Sequence, residues 1–381
     1  MLLVENGDVF APEPLGRQSI LIASGRIESI GAIGVDGAAL ARAGVEVETI
    51  DATGCIVMPG LIDPHAHLIG GSGEKGFSSQ TPEISASELL RAGITTVVGT
   101  LGADTTTRTM PALLAKVKAL RGEGLSAFAW TGGYDARTLL SSIRDDIVLI
   151  DEIIGAGELA IGDPRGQQYP AAELARFAAD CYVAGTLTGK AGLLHLHVGE
   201  GEQRLKILRD VLEQFDVKPS ALYPTHVERS ERLMSEAIDL TKRGMPVDVD
   251  VYEEDLVRWL RFYRDHGGDP NLLTASSDAA INSPHTLFAQ LMECVRENVA
   301  AVEEVIAIAT RNPARILKVN SGELARGRIG HLLLIDAASY EFRTVICAGR
   351  LVMRGGALAM REQFLAESNR SIALRGEKVK P

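Results

Sequence analysis

The 381-residue sequence predicts an α/β protein, a (β/α)8 TIM barrel carrying a small β-sandwich domain formed from both chain ends. Eight apolar, β-rich runs alternate with helical patterns through the middle of the chain. Their starts recur about every 30 residues, the length of a strand plus its return helix. The N-terminal part is filled instead by short alternating runs around Asn-Gly or Ser-Gly turns, the texture of hairpins, and the C-terminal part repeats that texture.

At the N-terminal end the hairpin segments are "LLVENGDVF", "SILIASGRIESIG" and "VEVETIDATG"; "HLLLIDA", "FRTVICAGRLVMRGG" and "ALAM" repeat the pattern at the other end. Residues 1–55 and 325–381 are therefore assigned to one small β domain, and residues 56–324 to the barrel. The barrel strands are read in "CIVMPGLID", "ITTVVGTLG", "SAFAWTGGY", "ELAIGD", "GLLHLHVGE", "ALYPTHVE", "MPVDVDVYEED" and "LLTASSDAA". Between them, "ISASELLRAGI", "MPALLAKVKALRGEG" and "RLKILRDVLEQFD" place apolar residues three and four apart, as amphipathic helices do. An open doubly wound sheet also alternates strand and helix, but eight units favour closure.

Composition narrows the functional classes. A formal net charge of −11, a pI near 5.3 and no Lys/Arg-rich block mean that a nucleic-acid backbone would be repelled over most of the surface. The widely spaced Cys55, Cys181, Cys294 and Cys347 fit reduced thiols in a cytoplasm better than a disulfide framework. The opening "MLLVENGDVFAPEP" carries acids and a proline where a secretory signal needs a basic start. The longest uncharged apolar stretch, near Ala92 to Ala103, is too short and too rich in glycine and threonine to span a bilayer. A soluble, cytoplasmic protein with no nucleic-acid or membrane partner is the expectation.

In a βα barrel, side chains at the C-terminal strand ends meet at one mouth. Here those ends carry His65 and His67, then Glu158, His197, His226 and Asp278, all metal-ligand types. His65 and His67 share strand parity and can reach one cation, although two hydrogen-bonded polar residues at a strand end would show the same pattern. Of His195 and His197, the latter is nearer the strand end; His195 reads as a hydrogen-bonded interior residue, and His266, His285 and His331 as exposed or small-domain bystanders. Glu158 interrupts an apolar run where a bare carboxylate is costly. A salt bridge, an edge position or a loop would relieve that cost; a pair of cations would do so by using both oxygens. Asp278 could cap a helix, or ligate a metal and accept a proton from bound water.

This pattern resembles the amidohydrolase superfamily, and "HAHLIGGSGEKG", "TGGYDARTL", "GDPRG", "LTGKAGLLHLHVGE", "LYPTHVER" and "SSD" are similar to the isoaspartyl dipeptidase family through most of the chain. The resemblance implies two divalent metal ions per chain, with zinc as the default, and hydrolysis of β-aspartyl dipeptides by a metal-bridging hydroxide. It makes His65 and His67 ligands of one ion, His197 and His226 ligands of the other, and Asp278 a ligand and general base. Where the family bridges its metals with a carboxylated lysine, this sequence has Glu158, three bonds shorter. The resemblance further assigns Glu74 to the substrate's α-ammonium group, Tyr134 to the scissile carbonyl, and Arg165 and Arg229 to carboxylates, and it implies a homo-oligomer. Taken singly, Glu74 and Arg229 read as surface charges and Tyr134 as a packing residue.

Ala103 and Asn282 depart from the family's threonine and serine, Ser283 offering a substitute for the latter, and the loops near "YEEDLVRW" and "AAINSPH" also differ. A cyclic amide or an N-acyl amino acid is the alternative substrate class. A non-catalytic scaffold is the alternative outside enzymes, and would be expected to have lost ligands that this chain retains.

Overall fold

The computed structural model describes residues 1–31, 37–71, 73, 75–251 and 255–368. Strands β1 (Leu2–Phe10), β2 (Pro14–Ala23), β3 (Arg26–Gly31), β4 (Glu48–Asp51) and β5 (Cys55–Pro59) open the chain. The barrel strands follow as β6 (Leu61–Ala66), β7 (Ile94–Gly99), β8 (Ser126–Thr131), β9 (Ile153–Ile161), β10 (Leu193–Val198), β11 (Leu222–Thr225), β12 (Val247–Asp250) and β13 (Leu273–Ser276). The last described strands are β14 (Leu332–Asp336), β15 (Phe342–Cys347), β16 (Arg350–Arg354) and β17 (Ala357–Leu358).

The terminal strands form one mixed sheet, ordered β17-β16-β15-β14-β5-β1-β2-β3, with β4 also paired to β1. β1 holds β4 along Leu2–Glu5 and β5 at Asp8–Val9, so one strand joins both arms. Alternation puts Leu2, Val4, Val9, Ile20, Ile22, Val57, Leu332 and Leu334 into a shared core.

The segment "CIVMPGLID" reads as one strand but is two: β5 belongs to the small sheet and β6 to the barrel. The chain changes sheets at Gly60, whose N–H bonds the His331 carbonyl while Leu61 N–H bonds that of Gly93. A Cβ at Gly60 would lie 2.1 Å from Thr95 Oγ1, so only glycine fits this crossing.

Six barrel strands pair in parallel in the order β6 to β11, and β12 pairs in parallel with β13. Val227 N–H to Asp248 O, 3.5 Å, links the sixth and seventh strands, and a parallel bridge between Ala66 and Ala279 links the eighth to the first. Helices with sequence-encoded ends cover the outside. Ser85 and Glu88 form a reciprocal capping box on helix Ala86–Arg91, a device worth about 1 kcal/mol. Thr109 caps helix Met110–Gly122, which turns Leu113, Val117 and Leu120 inward. Ile62, Val98, Trp130, Leu193 and Tyr223 pack with Leu317 in a separate buried cluster, part of which fills the barrel interior below the strand ends. Among the described residues no helix is long and apolar enough to cross a membrane.

Candidate metal centre

His65 lies in the last turn of pleat of β6 and His67 just beyond it, Glu158 lies in β9, His197 in β10, His226 directly after β11, and Asp278 two residues past β13. Glu158 owes its inward aim to a β-bulge. Gly155 pairs with Leu193 and Ala160 with His197, so five steps along β9 span four along β10. Paired residues of parallel strands share a face, and the extra residue moves Glu158 to the face of His195 and His197. Gly157, at φ +141°, makes room: its Cβ would stand 2.3 Å from the His195 carbonyl oxygen.

Glu158 is 1% exposed and serves four imidazoles. Its Oε1 lies 3.6 Å from His67 Nε2; its Oε2 lies 3.6 Å from His65 Nε2, 3.0 Å from His197 Nδ1 and 3.9 Å from His226 Nε2. Asp278 Oδ1 lies 3.3 Å from His65 Nε2 and 3.1 Å from His67 Nε2. Of the three groups among the described residues compact enough to share an ion, one is His226, Glu228 and Asp250; the two that meet at His65 are His65, His67 and Asp278, and His65, Glu158 and His226. His65 borders both, whereas the sequence reading gave it to one. His197 joins through Glu158, with its Nε2 turned to Asp163 Oδ2 at 3.3 Å.

A divalent cation fits this donor set. Tetrahedral ligands at about 2.1 Å from a metal stand about 3.4 Å from one another, close to the separations observed. His65 Nε2 and Asp278 Oδ1, both in the donor set, are buried and have no hydrogen-bond partner among the described residues. The short His65–Asp278 approach therefore rests on charge rather than hydrogen-bond geometry, and buried polar atoms left so are costly unless a ligand uses them.

The electrostatics show the same need for positive charge. Burial pushes Glu158 upward, but His65, His197 and His226 overcome it and hold the carboxyl well below its usual range. Burial likewise opposes Asp278, which His65 and His67 keep low. His65 is pushed down by burial yet raised to about 9 by Glu158 and Asp278. His226 is also raised, against burial, chiefly by Asp250. Protons on these rings balance the gathered carboxylates, a task that a bound cation takes over.

Around the centre, the Tyr134 hydroxyl lies 3.0 Å from His197 Nε2, and burial followed by the charge of Glu158 pushes the phenol well above its ordinary value. Arg165 pairs with Asp163, Nη2 to Oδ2 at 2.7 Å and Nε to Oδ1 at 2.9 Å, and lies over the Tyr134 ring at 5.2 Å. Arg229 is exposed in the loop after His226, with no ion-pair partner among the described residues. Glu74 lies outside the described residues. Asn282 donates to Val251 O at 3.2 Å and to Thr286 Oγ1 at 3.1 Å, and Ala103 is exposed. Asp278 caps no helix: the next helix begins at His285.

A family model described as the amidohydrolase family matches residues 56–352. The chain belongs to the amidohydrolase family. Among solved structures, this amidohydrolase is similar to the β-aspartyl dipeptidase of Fervidobacterium islandicum AW-1, at 35% identity and a TM-score of 0.89 over 95% of this chain and 99% of that one. The same enzyme in complex with the dipeptide β-Asp-Leu matches at 34% identity and a TM-score of 0.87, with the same coverage. Among curated proteins, adenine deaminase 2 of Rhizobium johnstonii is 25% identical over 373 residues, 88% of this chain. The chain spans only 57% of the length of that deaminase.

Several residues that shape the amidohydrolase site were not singled out in the sequence. Asp63 accepts from His65 N and Ser277 N, each at 3.2 Å, and from Ser277 Oγ, tying β6 to the segment that carries Asp278. Asp248 accepts from Thr225 Oγ1 at 2.8 Å and Ser276 Oγ at 2.6 Å, fastening three further strand ends. Asp250 faces His226 Nδ1, and Glu228 accepts from Asp250 N at 3.3 Å. Each is an acid in or beside an apolar run, the signal that drew notice to Glu158. His331, read as a bystander in an exposed or small-domain segment, is buried between the two sheets: its Nε2 lies 2.9 Å from Ser126 Oγ and its Nδ1 accepts from Ala348 N at 3.0 Å.

Proposed function

We propose that this amidohydrolase cleaves β-aspartyl dipeptides at a binuclear zinc centre. The observation that carries the substrate class is the match of 95% of the chain, at 34% identity, to a dipeptidase seen with β-Asp-Leu, joined to the donor set gathered at this chain's strand ends. In this reading His65, His67 and Asp278 hold one ion, His197 and His226 the other, and Glu158 lies between them. Bound zinc would acidify a coordinated water and polarise the scissile carbonyl. Asp278, which would ligate through Oδ1, takes the proton of the attacking water on its other carboxylate oxygen and returns it to the departing amine. Tyr134 stays protonated because of its burial and donates to the developing oxyanion. Arg165, oriented by Asp163, and Arg229 bind the substrate carboxylates, and Glu74 binds its α-ammonium group.

The test is a substrate panel on zinc-supplemented protein: β-Asp-X dipeptides, α-Asp-X dipeptides, cyclic amides, N-acyl amino acids and adenine. Turnover confined to the β-linked peptides is the expected result. Turnover of another class with none of β-Asp-X would reassign the substrate, and no turnover with fewer than one tightly held ion per chain would favour a scaffold.

A further inference from the structure

We infer that His195 is a positioning residue for the metal centre: it accepts a hydrogen bond from His65 Nδ1 and so fixes His65 in the tautomer that offers Nε2 to a cation. The inference rests on the binuclear reading above. His195 lies in β10, fully buried and outside the donor set. Its Nδ1 is 2.9 Å from the Tyr223 carbonyl oxygen of β11. A carbonyl only accepts, so Nδ1 carries the hydrogen and the neutral ring keeps its lone pair on Nε2. That Nε2 lies 2.8 Å from His65 Nδ1, and His65 must therefore be the donor. With its hydrogen on Nδ1, His65 has a lone pair at Nε2, the atom facing Asp278 and Glu158.

The slot of His195 leaves little freedom. Its ring stacks on Trp130, centroids 4.8 Å apart at 23°, and lies 5.0 Å from Tyr223. Trp130 Nε1 in turn donates to Pro64 O at 3.0 Å, one residue before His65. Four strands thus fix both ends of the His65–His195 bond. Metal-bound histidines commonly give their second N–H to a carboxylate, a carbonyl or water. His226 follows that habit with Asp250, whereas His65 meets a neutral imidazole.

Two substitutions separate orientation from packing. His195→Phe occupies the slot without an acceptor; His195→Gln can accept from His65 through Oε1 and donate to Tyr223 O through its amide. Zinc affinity is read by competition with a coloured chelator, and folding by circular dichroism. The expected result is about 10- to 100-fold weaker binding of at least one zinc ion in His195→Phe. His195→Gln should stay within about threefold of wild type. Unchanged affinity in His195→Phe, or an equal loss in both variants, would overturn the inference. If His195→Phe does not fold, nitrogen-15 shifts of the histidine rings in zinc-loaded wild type decide: Nδ1–H on both His65 and His195 supports it, and Nε2–H on His195 overturns it. Wild-type protein that held no zinc would instead sink the binuclear reading itself.

Discussion

Glu158 carries its carboxylate from synthesis, whereas a lysine bridge must first react with carbon dioxide. Chelated protein is therefore expected to regain full activity on zinc addition in carbon-dioxide-depleted buffer, and stimulation by bicarbonate would count against Glu158 as the bridge. Glu158→Gln keeps the volume but removes the charge that faces four histidines. At least one zinc ion should bind more weakly and kcat should fall at least about tenfold; two retained zinc ions with normal turnover would contradict the assignment. This residue was legible in the sequence because a carboxylate inside an apolar run is costly without a counter-charge. Asp63, Asp248 and Asp250 carry the same signal but find their partners on distant strands, which local sequence does not reveal. Glu74 and Arg229 show the opposite limit: a charge in a polar loop looks alike whether it binds substrate or water.

At the scale of the element, the β9 bulge is what turns Glu158 inward. Strict alternation from the inward-facing Gly155 would put Glu158 on the outer face, so periodicity alone could not give its direction. Gly157→Ala tests this: the new Cβ would meet the His195 carbonyl oxygen at 2.3 Å, at a positive φ that alanine rarely adopts. A loss of about 1–3 kcal/mol in unfolding free energy is expected, together with reduced zinc content. A variant of wild-type stability and full zinc content would show that the bulge does not depend on glycine. The alternation of strands and helices was readable because each unit repeats a local pattern. The split of β5 from β6 was not, since Gly60 breaks the run only by its contact with Thr95 in another strand.

For the whole molecule, the small sheet and the barrel are joined at His331, whose burial lowers its pKa to about 3. In the unfolded chain the ring regains its ordinary value of 6.5. The unfolded state therefore takes up a proton first as pH falls, and the stability contributed by the buried neutral ring is present above pH 6.5 and lost on the way down to about pH 3. His331→Gln lacks this titration. The stability advantage of wild type over the variant should shrink by on the order of 2 kcal/mol between about pH 7 and pH 5; a pH-independent difference would contradict the linkage. The architecture was legible because eight local repeats imply closure, but the burial of His331 was not, because it depends on how the two sheets meet. The central claim, a two-metal hydrolytic centre bridged by Glu158, is tested most directly by anomalous diffraction from crystals of the zinc-loaded protein. Two zinc peaks per chain, about 3.5–4 Å apart with one Glu158 oxygen on each, are the expected result. A single peak, or two peaks that Glu158 does not touch, would contradict it.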